Sequence, residues 1–325
     1  MNDFFLWPDP DPLAPSDIVG PRCSSESVES QLRDLYPCAE PVLFSSARAG
    51  LSAALLAMGL GRPDMCWTPP FSSHCVLEAV ALACTPAPVE VDALRAALVY
   101  HQWGYVAGSP FGPDVRLIED AVDSLLLPGR SPFALGGECV LWSLPKVLRV
   151  QGGGVVFCRS ADLAGKLRAV RARRTHSWLH ACLRLKAKSS PLAARYWNGA
   201  EAMQGELPAP MRRQVRRALS RLPATARHCE ATLAQFWPQV ARRFVQQGRL
   251  PSNLALTPPA NWERLWGPGG RISSGLRSFP VRAGAPRPRW IKVAPLPVHA
   301  GVTTDDIQRF LSTLAIEDPH ELEIL

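Results

Sequence analysis

The sequence lacks three features that would place it in a membrane or in an oxidising compartment. No window approaches the run of about 20 apolar residues that a membrane helix needs, and even the apolar stretch 76–91 contains two glutamates and two prolines. The first twelve residues have neither the basic region nor the apolar core of a signal peptide. There is no Cys-x-x-Cys pair, and the nine cysteines are scattered. We therefore expect a cytoplasmic protein with mostly buried thiols and no membrane partner.

The excess of positive charge is small. Lys and Arg number 36 against 28 Asp and Glu, so the formal net charge is +8. This excess admits an anionic partner but does not by itself imply nucleic acid. With 47% hydrophobic residues over 325 positions, the chain is too apolar for disorder and long enough for one large domain or two unequal ones. Proline is abundant, at 32 residues, about twice the usual share, which predicts short helices.

Up to about residue 160, short apolar segments typical of strands alternate with segments whose apolar residues have helical spacing. This alternation predicts a mostly parallel α/β sheet. Residues 1–40 are expected to form an arm, and strands are expected to stop after residue 160 until about residue 277. We assign residues 1–188 to this arm and a large α/β domain, and residues 189–325 to a smaller α+β C-terminal domain. The expected strands are 66–68, 89–91, 97–100, 115–118, 138–142, 155–158, 278–282 and 290–293, and the expected helices are 49–60, 75–84, 161–186, 211–248 and 303–314.

The connection between the strands ending near residue 100 and starting near residue 115 has only about 14 residues and is rich in Gly and Pro. A parallel crossover needs a dozen or more residues and usually contains a helix. We expect that helix to be lost or reduced to a turn.

Four features in a fixed order predict a pyridoxal 5′-phosphate (PLP) site. Asp120 ends an apolar strand, at the sheet edge where open α/β folds bind ligands. Lys146 follows the next strand and is the candidate Schiff-base lysine. The glycines Gly152–Gly154 allow the backbone to approach a bulky group closely. Ser46 and the amides that open the following helix suit a phosphate. The alternative for each residue taken singly is a solvated side chain at a loop end.

Several motifs make nearly the whole chain resemble the DegT/DnrJ/EryC1/StrS family of sugar aminotransferases, which are PLP enzymes of fold type I. The matching segments are Ser46-Ala47-Arg48-Ala49-Gly50-Leu51, Thr68-Pro69-Pro70-Phe71-Ser72-Ser73-His74, His101-Gln102-Trp103-Gly104-Tyr105, Ile118-Glu119-Asp120-Ala121, Ser143-Leu144-Pro145-Lys146 with Gly152–Gly154, and Leu296–Asp306.

The resemblance implies roles for these residues. Lys146 would be the Schiff-base lysine, and Asp120 would hold the pyridine nitrogen. Further cofactor-binding residues would be Ser46, Ala47, Arg48, Ser73, His74, Asp123 and Ser143. The implied reaction moves an amino group from an amino acid, glutamate in this family, to a keto sugar that is attached to a nucleotide. The implied assembly is a homodimer with sites near the interface.

The chain departs from the family pattern at several points. Asp123 stands where the family has His or Gln, and Ala47 stands where it has Gly. Two crossovers are shortened. The Asn-Tyr-Arg segment of the family has only a weak counterpart at 196–199. These departures motivate an alternative, in which a divergent member of the fold does not transaminate and acts as a binding or regulatory partner.

Two other patterns carry competing hypotheses. Ser143 and Lys146 also fit the Ser-x-x-Lys of penicillin-binding enzymes, but the companion motifs are absent. His176 and His180 stand at helical spacing near Cys182, although the Glu of a metalloprotease helix is missing. We predict no metal site.

The basic residues are concentrated in one segment. Residues 159–221 contain 15 Lys or Arg and 3 acidic residues, so this segment carries 15 − 3 = +12 and the rest of the chain −4. Four interpretations remain open: a solvated helix face, recognition of a nucleotide-sugar diphosphate, an acidic partner and nucleic acid. The phosphate-binding interpretations rest on the fit of arginine to phosphate oxygens. Few aromatic residues interleave with these arginines, which argues against single-stranded nucleic acid.

Overall fold

A computed structural model describes residues 7–69, 72–87, 94–109, 111–174, 203–257, 278–280, 290–313, 316 and 318–324. The strands are β1 Glu40–Phe44, β2 Met65–Trp67, β3 Thr85–Ala87, β4 Leu94–Tyr100, β5 Arg116–Asp120, β6 Ser124–Leu126, β7 Cys139–Ser143, β8 Gly154–Cys158, β9 Arg249–Pro251, β10 Asn253–Leu256, β11 Ser278–Pro280, β12 Trp290–Lys292 and β13 Ala294–Pro297. The helices are α1 Pro15–Val19, α2 Ser25–Leu35, α3 Ala47–Ala57, α4 His74–Ala81, α5 Leu144–Leu148, α6 Ala161–Ala172, α7 Ala209–Phe236, α8 Pro238–Gln246 and α9 Thr304–Thr313.

A seven-stranded sheet organises the molecule, in the order β1-β8-β7-β5-β4-β2-β3. The five strands from β7 to β3 run parallel, which confirms the mostly parallel sheet. At the other edge β8 is antiparallel to both of its neighbours, β7 and β1. Three two-stranded sheets accompany it: β10 with β13, β11 with β12, and β6 with β9.

Both faces of this sheet are buried, and the side chains of β7 show why. Val140 and Trp142 belong to an apolar cluster that includes residues of α2 and α7. Cys139 and Leu141 point to the opposite face, into a cluster formed with residues of α3, α4 and α6. A strand covered on both faces reads as a continuous apolar run, which is how it appears in the sequence. All described cysteines are unpaired, and six of the eight are buried.

The N-terminal region differs from the expected arm. Residues 25–35 form α2, which packs on β1, and β1 joins the central sheet. This expectation was wrong because the residues that hold α2 and β1 lie more than 100 positions away, in β8 and α6.

Two expectations about strands also change. Strands do not stop after residue 160, since β9 and β10 follow α8. The expected helix over residues 211–248 is divided at Trp237 into α7 and α8, with Pro238 opening the second helix. The expected strand 89–91 and the end of the expected helix 161–186 lie outside the described residues.

The shortened crossover between β4 and β5 contains a 3₁₀ turn at Gln102–Gly104. In the described part of this crossover, residues 101–109 and 111–115, no α-helix is present. The expected reduction to a turn is therefore confirmed. Gly104 adopts φ 101°, where its Cα faces the backbone of Pro251 so closely that a side chain would not fit.

Arginines of the basic segment hold the N-terminal region in place. Arg168 and Arg171 of α6 pair with the buried carboxylate of Glu29 in α2. Arg217 of α7 pairs with Asp17, and Arg213 donates to three backbone carbonyls of residues 17–21. Most described arginines of the basic segment therefore bind the protein itself, while Arg173, Arg216 and Arg221 are exposed. No described helix is long and apolar enough to cross a bilayer.

Candidate active site

Three parallel strands end at one edge of the central sheet and bring the candidate residues together there. β5 lies between β4 and β7, so that Asp120 stands opposite Tyr100 on one side and Leu141 on the other. β7 leads directly into the short helix α5, which carries Lys146. Because the carboxyl ends of parallel strands meet at the same edge, Asp120 and Lys146 lie at one site.

Lys146 is held by Asp123 in this structure. Its Nζ donates to Asp123 Oδ1 at 2.7 Å and lies 4.4 Å from the ring centroid of Trp7. The same carboxylate accepts hydrogen bonds from Trp7 Nε1 at 3.2 Å and from the hydroxyl of Tyr100. The Asp123 side chain has no exposed surface, whereas that of Lys146 is 30% exposed. A buried carboxylate with three donors forms the centre of this network.

Asp120 lies beside the network in a less satisfied environment. Its carboxyl is buried and accepts a hydrogen bond from the backbone N–H of Val122 at 3.1 Å. Burial raises the pKa of Asp120 to about 7, and the charge of Asp123 adds to the rise. The charge of Lys146 and the Val122 hydrogen bond oppose it. A cation placed beside this carboxyl would favour its ionised form.

Glu119, the residue before Asp120, is fully satisfied by the protein. Burial alone would raise its pKa, but hydrogen bonds from His101 and from backbone N–H groups of 134–137 bring the pKa below its ordinary value. His101 Nε2 lies 3.0 Å from the Glu119 carboxylate, and its Nδ1 accepts from Ala107 N–H. That acceptance places the ring proton on Nε2, and burial lowers the pKa of His101. The neutral ring therefore donates to Glu119.

The N-terminus of α3 forms the phosphate end of the predicted site. Ser46 is the N-cap, and its Oγ accepts from Ala49 N–H at 3.1 Å, which leaves its hydroxyl hydrogen available to donate. The first N–H groups of a helix have no partner inside the helix. Gly154 lies against this turn so closely that a Cβ there would overlap the backbone of Ser46 and Ala47.

The other predicted site residues are divided between the edge and the surface. Arg48 is half-buried in the first turn of α3, and Ser143 is half-buried as the residue before α5. Ser73 and His74 are exposed at the start of α4, where Ser73 Oγ contacts Cys75 Sγ at 3.0 Å. Pro70 and Phe71 of the same motif lie outside the described residues, as do His176, His180 and Cys182. The roles of all these residues in cofactor binding stay predictions.

Sequence reasoning missed two members of the network. Tyr100 ends β4 immediately before the recognised His101 motif, so its position at the sheet edge could have been predicted. Trp7 comes from the N-terminal region, 116 positions before Asp123. No pattern in the sequence pointed to it.

Comparison with known proteins gives a family and a fold. Residues 28–196, more than half of the chain, match a family model described as "Putative PLP-dependent aminotransferase". No curated protein matches the chain.

Three solved structures illustrate the fold. The apo form of Spr1654 from Streptococcus pneumoniae, a "putative sugar aminotransferase", has 11% identity and a TM-score of 0.62 over 97% of each chain. DesI, solved in the presence of its TDP-sugar product, has 18% identity and a TM-score of 0.58 over 91% of this chain and 86% of its own. A DegT DnrJ EryC1 StrS aminotransferase from Brucella abortus has 14% identity and a TM-score of 0.55 over 95% and 91%. The expected fold of the type I PLP enzymes is confirmed.

The residues at the sheet edge fit a PLP cofactor. Lys146 supplies an amine for an aldehyde, and Asp120 supplies a buried carboxyl for a protonated ring nitrogen. The N-terminus of α3 supplies N–H groups and the Ser46 hydroxyl for a phosphate. Gly154 leaves the space beside that turn free of any side chain.

Proposed function

The chain belongs to the family of PLP-dependent aminotransferases that its residues 28–196 match, and we propose that it transfers an amino group from glutamate to a nucleotide-linked keto sugar. One observation carries the proposal: Lys146 and the buried carboxyl of Asp120 lie at the same sheet edge, which suits a PLP ring. The likeness to DesI, a structure that holds a TDP-sugar product, supports the sugar as substrate class.

When bound, PLP supplies an aldehyde that reacts with amines and a ring that accepts electrons. Lys146 would hold the aldehyde end of the cofactor, and its Nζ, once free, would take up and return a proton at the reacting carbon of the substrate. Asp120 would keep the ring nitrogen protonated by accepting its hydrogen bond. Ser46 and the first N–H groups of α3 would hold the phosphate, and Ser143 and Arg48 are proposed as further contacts of the cofactor.

The test uses the full-length protein with added PLP. We expect a long-wavelength absorbance band that is absent in Lys146→Ala and retained in Lys166→Ala, a matched change at an exposed lysine of α6. Glutamate should abolish the band, and a keto sugar nucleotide should restore it. A protein that takes up no PLP would contradict the proposal.

A second candidate function is the divergent, non-transaminating partner. The observation that favours it is the ion pair between Lys146 and Asp123, which engages the reactive amine. In that case the protein would bind PLP and show the band, but glutamate would leave the band unchanged.

The proposal includes a homodimer in the cytoplasm. Light scattering at micromolar concentration should give twice the mass of 35.5 kDa.

The division of the chain into two domains at residue 188 is also part of the proposal, although one apolar cluster contains residues from both sides of it. Limited proteolysis near that residue would test the division.

A further inference from the structure

Lys146 lies between two groups that both stabilise a cation. Asp123 Oδ1 accepts from its Nζ at 2.7 Å, and the face of the Trp7 ring lies 4.4 Å away. A carboxylate forms its strongest hydrogen bonds with charged donors, and an indole ring attracts an ammonium through its quadrupole. Both contacts therefore hold the Lys146 side chain in one place.

The carboxylate of Asp123 is surrounded by donors at this place. It is fully buried, and besides Lys146 it accepts from Trp7 Nε1 and from the Tyr100 hydroxyl. Burial, and then the charge of Asp123, raises the pKa of Tyr100 well above its ordinary value. The phenol therefore stays protonated and continues to donate. Asp120, the other carboxyl nearby, is the group whose charge is suppressed.

Trp7 is fixed by contacts made four residues further along the chain. Asp11 accepts from Arg149 Nε at 3.0 Å, and its backbone N–H donates to the Arg149 carbonyl at 2.7 Å. Its own carbonyl accepts from Gln151 Nε2 and Gln214 Nε2 at 2.7 and 2.9 Å. Arg149 is the residue that ends α5. The segment that carries Trp7 is thus tied to the helix that carries Lys146.

We propose that Asp123 and Trp7 form a holding site for the Lys146 amine, which fixes the position of this side chain when it is not bonded to the cofactor. Asp123 and Trp7 are positioning residues, since they act through Lys146. The proposal rests on the proposed function only in taking Lys146 as the cofactor lysine. It adds that the lysine returns to one defined place between steps, and that the amine must leave this place before it can react with an aldehyde.

The test measures how fast individual lysines react in the cofactor-free, full-length protein. Formaldehyde with a borane reductant methylates free amines, and peptide mass spectrometry reports each lysine separately. Lys166 serves as the internal reference, because its exposed Nζ also pairs with a carboxylate, Asp162 Oδ2, at 2.7 Å. We expect Asp123→Asn to accelerate methylation of Lys146 about tenfold while the rate at Lys166 stays unchanged.

Matched variants separate positioning from a change in fold. Asp162→Asn makes the same substitution at the reference pair and should change the Lys166 rate by less than about twofold, because exposed ion pairs are weak. Asp123→Glu should keep Lys146 slow. Trp7→Ala should accelerate Lys146 about threefold, and it provides the test if Asp123→Asn does not fold.

A Lys146 rate in Asp123→Asn and Trp7→Ala that equals or falls below that of the native protein would overturn the holding site. The measurement uses neither PLP nor substrate. Its failure is therefore distinct from a failure to bind PLP or to transaminate.

Discussion

Glu119 and Asp120 are adjacent, both buried, and yet in opposite electrostatic environments. Glu119 faces His101 and accepts backbone hydrogen bonds from Ala134, Leu135 and Gly137. Among the described residues, the side-chain carboxyl of Asp120 accepts one hydrogen bond, from the backbone N–H of Val122. The pKa of Glu119 is accordingly lowered, while that of Asp120 is raised to about 7.

This difference separates a structural carboxylate from one that is prepared for a ligand. Successive side chains of a strand point to opposite sides, so β5 directs Glu119 into a shell of donors and Asp120 toward the Lys146 network. A buried carboxyl without enough donors is a cost that the fold alone does not explain. Under the proposed function, a protonated ring nitrogen would supply the missing donor.

The comparison predicts a large difference in stability between two alanine variants. Glu119→Ala should lower the free energy of unfolding by about 3–5 kcal/mol, because it leaves several buried donors without an acceptor. Asp120→Ala should cost less than about 1 kcal/mol in the cofactor-free protein at neutral pH. Urea unfolding measures both. Equal losses of unfolding free energy in the two variants would contradict the distinction between a structural Glu119 and a poorly satisfied Asp120.

The phosphate end of the site allows a sharper test with glycines. Gly154→Ala should destabilise the protein by about 1–3 kcal/mol and weaken PLP binding, because the new Cβ would push the first turn of α3 away. Gly165→Ala is the matched control, since a Cβ there meets open space on α6. It should stabilise the helix by up to about 1 kcal/mol. Thermal unfolding and PLP titration report the two effects, and a Gly154→Ala protein that binds PLP normally would contradict this view of the site.

The smallest predicted effect is a difference between the native protein and Asp120→Asn in how the free energy of unfolding depends on pH. The pKa of Asp120 is about 7 in the folded protein against about 3.9 in an unfolded chain, so the folded state binds more protons between these values. Stability from this group therefore falls as the pH rises from about 4 to 7. Glu119 has the opposite sign, because its lowered pKa adds stability that is lost when the pH falls through that value.

Unfolding free energies at pH 5 and pH 6 would reveal the contribution of Asp120. The native protein should lose more stability over this interval than Asp120→Asn, by on the order of 1 kcal/mol. An identical pH dependence in the two proteins would mean that Asp120 is ionised throughout.

Five strands of the central sheet, β2, β4, β5, β7 and β8, could be predicted from the sequence because they appear as short apolar runs. The edge strands β1 and β3 were not among the expected strands. The strands β6, β9, β10 and β13 could not be predicted either. Each has only three or four residues, and their pairing is decided by contacts between distant parts of the chain. The helix α2 was missed for a related reason, since its Glu29 is held by arginines about 140 positions later.

The site was predicted in part. Asp120 and Lys146 could be identified from their order and spacing after two strands, together with the family resemblance. The hydrogen bonds that converge on Asp123 could not, because an indole N–H, a phenol and an ammonium have no common sequence pattern. The distinct environments of Glu119 and Asp120 also depend on the loop at 134–137, which sequence alone does not place.

The arginine contacts to the N-terminal region have a consequence for synthesis of the chain on the ribosome. Arg213 and Arg217 bind residues 17–21 across nearly 200 positions, and β1 pairs with β8 more than 100 positions later. Residues 17–21 therefore cannot reach these arginines until α7 has emerged, whereas β1 has to wait only for β8. We expect this region to be the last part of the nascent chain's first half to dock, and the most accessible to chaperones and proteases until then.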